Sequence, residues 1–172
     1  MYYQYPLETL VRGRRAHSQL DFARRAREAL RDTDELLARP VPAGLALFAA
    51  NEDALEPPAR ILRDLYGDFV ELRAPRARII PGDPAQQPIM NVRVTARMEH
   101  AVAVLAQLRQ RAARIVEECV RGRTFIVRAE APLALILGLP AALDAITDGT
   151  ANHAIRLLRY TPVPRDFDPR VA

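Results

Sequence analysis

The apolar residues from Ile89 onward change their spacing in an order that few folds accommodate. Met90, Val92 and Val94 alternate with polar residues, which is typical of a half-buried strand. The apolar positions that follow recur at helical spacing, at Met98, Ala101, Val102, Leu105, Leu108 and Ala112. This segment therefore predicts a strand followed by a helix.

The next residues complete a recognisable motif. Residues 114–120 and 124–130 read as two strands joined by Arg121-Gly122-Arg123, whose glycine suits the positive φ of a hairpin turn. Pro132 opens a second helical region, which Gly138-Leu139-Pro140 divides into two short helices. Residues 152–160 supply a last strand. The order β-α-β-β-α-β predicts an α+β fold of the ferredoxin-like type, an antiparallel sheet with helices on one face.

The N-terminal half is predicted to hold smaller pieces. Residues 1–16 read as an irregular arm, and good helix formers from Gln19 to Ala38 predict a helix that ends before Pro40. Strands at 45–49 and 69–72 flank a helix that Pro57-Pro58 opens. We therefore expect an arm and helix over 1–40, a small β-α-β unit and linker over 41–80, the ferredoxin-like domain over 88–164 and a tail over 165–172.

All 25 basic residues are arginines, because the sequence contains no lysine, and the formal net charge is +4. The absence of lysine excludes Schiff-base chemistry and phosphate-binding loops of the GxxxxGK[ST] type. Two explanations remain for the arginines. A GC-rich coding bias would replace every surface lysine, whereas a surface selected for nucleic acid would use the planar guanidinium to bind phosphate.

Catalysis finds little support in the sequence. His17, His100 and His153 are far apart and lack metal-ligand spacing, and the only serine, Ser18, is best explained as a helix cap. No apolar run approaches membrane-spanning length, and the first residues do not resemble a secretory signal. We expect a cytoplasmic protein that is not an enzyme, uses no cofactor or metal, and does not enter a membrane.

Residues 88–164 resemble the C-terminal domain, domain V, of translation elongation factor G. The resemblance is carried by PIMNVRV at 88–94, RAEAPLALILGLPAALDAITDGTA at 128–151 and AIRLLRYTPVP at 154–164. It implies the ferredoxin-like fold and a ribosome-facing ancestry. The family's GTP-binding domain has no counterpart in this sequence, so GTP hydrolysis is not implied. Gln87 and Thr150 stand where the family usually has glutamate and often has a basic residue.

Three groups of arginines are candidates for contact with nucleic acid. Arg121 and Arg123 occupy an exposed hairpin tip, although a solubilising turn would use the same residues. The second group lies at the end of the first predicted helix of this domain, where cations would also complement the helix dipole; it comprises Arg109, Arg111 and Arg114.

The third group is Arg93, Arg128 and Arg156, which could align on the open face of the sheet. We expect Glu118 and Glu130 to neutralise that face. The scarcity of aromatic residues argues against base stacking of the RNA-recognition-motif kind.

Two functions are consistent with these observations. The chain could bind a ribosome or RNA as a translation-related factor. Alternatively it could be a protein-interaction or oligomerisation module, with sheet edges or residues 1–40 contacting a partner or a second copy.

Overall fold

A computed structural model describes residues 3–164. The chain divides into two compact units, one up to Arg76 and the other from Ala77 onward. Each unit is built on its own antiparallel sheet. The α+β class predicted from the sequence is confirmed.

The first unit follows a β-α-β-β-α-β order. Its elements are β1 (Leu7–Gly13), α1 (Gln19–Glu28), β2 (Leu36–Val41), β3 (Gly44–Ala49), α2 (Glu56–Tyr66) and β4 (Val70–Leu72), followed by the two-residue strand β5 (Arg76–Ala77). The strand order in the sheet is β2-β3-β1-β4, and β5 also pairs with β1. The first strand of the chain is therefore an interior strand of this sheet.

Alternation along β1 explains its position. Leu7, Thr9 and Val11 are buried, while the residues between them are half-buried, so one side of the strand faces the core. The core also contains Phe22 of α1. The ring of Phe22 packs edge to face against the ring of Tyr66, with the two ring centroids 5.3 Å apart. Ser18 caps α1, since its Oγ accepts a hydrogen bond from Asp21 N at 3.2 Å.

Two predictions for residues 1–40 are wrong. Residues 7–13 form a strand rather than an irregular arm, and the helix from Gln19 ends at Glu28 instead of continuing to Ala38. Between the end of the helix and β2, Thr33 Oγ1 accepts from the backbone N–H of Glu35 and Leu36, which turns the chain into the strand. Pro40 is tolerated in β2 because this strand lies at the sheet edge. The predicted β-α-β unit exists as β3, α2 and β4, but it is part of this larger sheet.

The second unit has the predicted order. Its elements are β6 (Gln86–Arg97), α3 (Ala101–Gln110), β7 (Arg114–Arg121), β8 (Thr124–Pro132), α4 (Leu133–Ile136), α5 (Leu139–Ile146) and β9 (Asn152–Pro162). The strand order is β7-β8-β6-β9, with all pairs antiparallel. The ferredoxin-like fold predicted for this part of the chain is confirmed. The two units share one topology, since the strand order of each is second, third, first, fourth.

The helices of the second unit cover one face of its sheet. Met90, Val92 and Val94 of β6 are fully buried, as the alternating pattern predicted. They share this side with Phe125 and Val127 of β8; α4 packs over both strands, and α3 packs over β6 and β7. The other face of the sheet carries most of the polar residues of the four strands.

Candidate nucleic-acid interface

The face of the second sheet that is turned away from the helices carries nine of the ten charged residues of its four strands. We call it the arginine face. It comprises Asn91, Arg93, Thr95 and Arg97 of β6, Arg114, Glu117, Cys119 and Arg121 of β7, Thr124, Ile126, Arg128 and Glu130 of β8, and Asn152, Ala154, Arg156 and Arg159 of β9.

Positive charge dominates this surface. Seven of its residues are arginines, all exposed, and two are glutamates, which leaves a formal excess of five positive charges. The whole chain carries a net charge of only +4. The acidic residues that dilute the overall charge therefore lie mostly elsewhere, and this face has the local excess that attracts polyanions.

Two β-bulges, one in each edge strand, add arginines to this face. In β7 the register shifts between Ile115 and Glu117, so Arg114 and Arg121 share a side although they are seven residues apart. In β9 the register shifts opposite the Ile89–Met90 step, which brings Arg159 to the same side as Arg156. Without a bulge, an odd separation along a strand puts two side chains on opposite faces.

Carboxylates hold three of the seven arginines. Arg114 Nη2 lies 2.7 Å and Arg159 Nη2 2.9 Å from the same oxygen, Oε2 of Glu130. Arg128 Nη1 lies 3.0 Å from Glu117 Oε2. Hydrogen bonds from Arg159 and Arg114 lower the pKa of Glu130 below its ordinary value, so this carboxylate stays ionised.

The remaining arginines are less restrained. Across residues 3–164, the structure gives Arg93, Arg121 and Arg156 no carboxylate partner, and Arg97 contacts only the exposed Glu99, at 3.7 Å. Arg93 and Arg121 line an open depression of about 330 Å³, whose other lining residues are Arg128, Glu117, Ile126 and Cys119. The face therefore offers guanidinium groups whose hydrogen-bond donors are available to a ligand.

The hairpin arginines lie where the sequence placed them. Arg121 ends β7 opposite Thr124, and Gly122 takes a φ of 61° in a two-residue connection, as in hairpin turns with glycine at the first central position. Arg121 and Arg123 are both exposed. Arg121 also belongs to the arginine face, so the hairpin tip and the sheet surface are continuous.

The structure separates the second predicted group. Arg109 is exposed in the last turn of α3, and Arg114 lies on the opposite face of the sheet. Arg111 has a structural contact, because its Nη1 donates to the carbonyl of Leu137 at 2.8 Å beyond the end of α4. These three arginines do not form one cluster.

The third group lies together on the open face. Arg93, Arg128 and Arg156 share the arginine face, as does Glu130. Glu118 does not, because it pairs with the core residue Val127, and Glu117 takes its place. Sequence reasoning missed Arg97, which continues the β6 alternation, and Arg159, whose orientation depends on the bulge.

Other kinds of site find no support in the part of the chain that the structure describes. No three His, Cys, Asp or Glu side chains of residues 3–164 are grouped closely enough to hold a metal ion. No helix in this range is both long and apolar enough to span a membrane.

Comparison with known families identifies the second unit. The family model described as elongation factor G C-terminus matches residues 86–171, which is half of the 172-residue chain. Elongation factor G of Granulibacter bethesdensis is 34% identical over 85 residues, covering 49% of this chain and 12% of that protein. Mitochondrial ribosome-releasing factor 2 of Bos taurus is 37% identical over 81 residues, covering 46% of this chain and 10% of that protein.

A solved structure extends the likeness to both units. The crystal structure of ttk003000868 from Thermus thermophilus superposes with a TM-score of 0.68 and covers 95% of this chain and 42% of that one. The sequence identity is 16%, so this likeness concerns the fold alone. The chain spans about a tenth of the length of the sequence relatives, with 10% to 12% of each covered.

Proposed function

This chain belongs to the elongation factor G C-terminus family, and from that premise we propose that it is a translation-related, non-catalytic protein that binds ribosomal RNA in the cytoplasm. The observation that carries the proposal is the arginine face, where seven exposed arginines are set against two glutamates. Guanidinium groups form charge-assisted, bidentate hydrogen bonds with phosphate oxygens, and ribosomal RNA presents such oxygens at high density.

The names of the relatives support a ribosomal partner. Ribosome-releasing factor 2 is named for an action on ribosomes, and two elongation factors G align with a similar share of this chain. Because this chain spans only about a tenth of those proteins, their complete activities are not transferred to it. What is transferred is the expectation that this fold contacts the translation machinery.

Binding rather than catalysis agrees with the side chains that are present. The hairpin pair Arg121 and Arg123 would reach phosphates first, because a two-residue turn projects from the sheet. Arg109 would add a phosphate contact away from the arginine face. Arg111 would have a structural role, because its hydrogen bond connects the end of α3 to the residue after α4. None of these roles requires a nucleophile, an acid–base pair or a cofactor.

The alternative, an oligomerisation module, is less well supported. The edge strand β7 carries a bulge and four charged residues, and the edge strand β2 contains Pro40. Both features discourage the addition of a further strand. The residues 1–40, considered as a docking arm, are folded into the first sheet as β1, α1 and β2.

Co-sedimentation with purified ribosomes at rising salt tests the proposal. We expect binding at low salt, with an affinity that falls steeply as salt is raised because counterions return to the phosphates. The double variant Arg121→Gln/Arg123→Gln should bind several-fold more weakly and reduce the slope of log K against log salt by about 1 to 2.

The matched control is Arg31→Gln/Arg60→Gln, which removes the same charge from exposed positions of the first unit. This control should bind nearly as well as the unmodified chain. A chain that binds neither ribosomes nor isolated ribosomal RNA at low salt, or equal losses in the two double variants, would overturn the proposal.

A further inference from the structure

We infer, on the basis of the proposed function, that the arginine face recognises the backbone of double-helical RNA and not single strands. The first observation is the chemistry of its surface. Among the residues that the structure describes on this face, none is aromatic, and the non-arginine positions are small, polar or aliphatic. Proteins that hold single strands depend on aromatic side chains on which successive bases stack.

The positions of the unrestrained arginines suit a rigid line of phosphates. Arg121 on β7, Arg93 on β6 and Arg156 on β9 form a diagonal that crosses the whole sheet. With strands about 4.8 Å apart and residues about 3.4 Å apart along each strand, the Cα atoms of Arg121 and Arg156 are separated by about 25 Å. A double helix holds its phosphates in a fixed array over such a distance, whereas a single strand would lose chain entropy to do so.

The neutral side chains between the arginines favour RNA. Asn91, Thr95 and Asn152 lie on the same face as the diagonal, and each can both donate and accept hydrogen bonds. RNA helices display 2′-hydroxyl groups across a wide, shallow minor groove, and proteins read that groove through 2′-hydroxyl and phosphate contacts. A sheet surface on which guanidinium groups lie among amide and hydroxyl groups matches this pattern.

Three other arginines of this face, which an RNA double helix would also approach, are paired with carboxylates. Glu130 holds Arg114 and Arg159 from the two edge strands, and Glu117 holds Arg128 beside the depression. These ion pairs occupy donors of three guanidinium groups, so those groups are less open to a ligand than the arginines of the diagonal. The arginines of the diagonal then remain to contact phosphates.

Fluorescence anisotropy with the full chain tests the inference. The probes are a labelled RNA duplex of about 16 base pairs, one of its strands in a form that cannot pair, and a DNA duplex of the same sequence. We expect the RNA duplex to bind at least several-fold tighter than either other probe. The variant Arg93→Gln/Arg156→Gln should weaken duplex binding about tenfold and lower the salt slope by about 2.

The control Arg31→Gln/Arg60→Gln should change duplex affinity by less than about twofold, because a remote loss of charge acts only through the long-range field. Circular dichroism and thermal unfolding establish that every variant is folded. Equal or tighter binding of the single strand would overturn this inference and leave the proposed function standing, and equal binding of DNA would overturn the role of the 2′-hydroxyl. If the chain binds none of the three probes and does not bind ribosomes, the proposed function itself is overturned.

Discussion

Arg114 and Arg159 lie on opposite edge strands of the second sheet, yet both donate to one oxygen of Glu130, at 2.7 and 2.9 Å. The two arginines meet there because a bulge in each edge strand turns their side chains to the same face. Glu130 lies on β8, between the edge strand β7 and the neighbouring β6. The three side chains therefore link β7, β8 and β9, although β9 is a hydrogen-bonded neighbour of neither β7 nor β8.

Replacing Glu130 by Gln should strengthen RNA binding. The change removes one of two negative charges from the arginine face and releases two guanidinium groups, so we expect a severalfold gain in affinity at low salt. Glu117→Gln is the matched comparison, because it releases only Arg128 and should give a smaller gain. The measurement is anisotropy with the RNA duplex. Weaker binding by the Glu130 variant would mean that the bridge is needed to orient Arg114 and Arg159.

Asp32 should stabilise the first unit in a pH-dependent manner. Its Oδ1 accepts from Ala38 N at 3.1 Å, and its Oδ2 lies 2.8 Å from Arg39 Nη1 and 3.0 Å from Arg27 Nη2. Burial alone would raise the pKa of Asp32, but these hydrogen bonds and charges outweigh it and lower the pKa below its ordinary value. We expect Asp32→Asn to reduce the free energy of unfolding by about 1 kcal/mol near neutral pH.

The sign of the pH dependence follows from the lowered pKa. A carboxyl group that is more acidic in the folded state contributes its full stability above its unfolded pKa and loses it as pH falls through the folded value. The difference between the unmodified chain and Asp32→Asn should therefore be constant above about pH 5 and shrink below that. Urea unfolding at neutral pH and at low pH measures this difference. An equal difference under both conditions would contradict the assignment.

Thr147 should be a stability determinant of the second unit. The side chain of Thr147 is fully buried. Its Oγ1 donates to Leu143 O at 2.7 Å, and Oγ1 also accepts a hydrogen bond from Ala151 N at 3.2 Å. Thr147→Val keeps the shape but leaves the buried N–H of Ala151 without that partner, at a cost of about 1 to 2 kcal/mol. Thr147→Ser keeps the hydroxyl and should retain most of the hydrogen-bond contribution. Thermal unfolding compares the two, and equal losses would indicate that the methyl group matters instead.

Gly44→Ala should be far more damaging than Gly122→Ala. Gly44 has a φ of 145°, and an added Cβ would collide with the backbone carbonyl oxygen of Val11. We expect a loss of about 3 kcal/mol or more, through strain and through separation of β1 from β3. Gly122 has a φ of 61° with open space around it, so alanine there should cost about 1 kcal/mol. Similar unfolding midpoints for the two variants would contradict this ranking.

The second unit was predictable because local patterns and packing agree there. Met90, Val92 and Val94 alternate in sequence and are buried as a set, and Gly138 does divide α4 from α5. The first unit was harder because helix propensity and strand pairing disagree. The residues near Leu36 and Ala38 follow a run of strong helix formers, yet they are buried as part of a strand. Only pairing with β3, a non-local interaction, decides between the two.

The arginine face was only partly predictable for a different reason. Alternation alone places Arg93 and Arg97 on one side of β6, so their shared orientation is readable from the sequence. The shared orientation of Arg114 with Arg121, and of Arg156 with Arg159, depends on bulges that add one residue to each edge strand. Such register shifts are set by the neighbouring strand, and no residue in these segments marks them unambiguously.

The interior position of β1 determines what shortening the chain would do. Because Leu7–Gly13 pairs with β3 on one side and β4 on the other, deletion of residues 1–13 would cut the first sheet in two. Val70–Leu72 would lose the strand beside it, and the apolar side chains of β3 would be uncovered. Fusion tags and expression boundaries should therefore leave these residues intact, even though an N-terminal segment of this length is often treated as expendable.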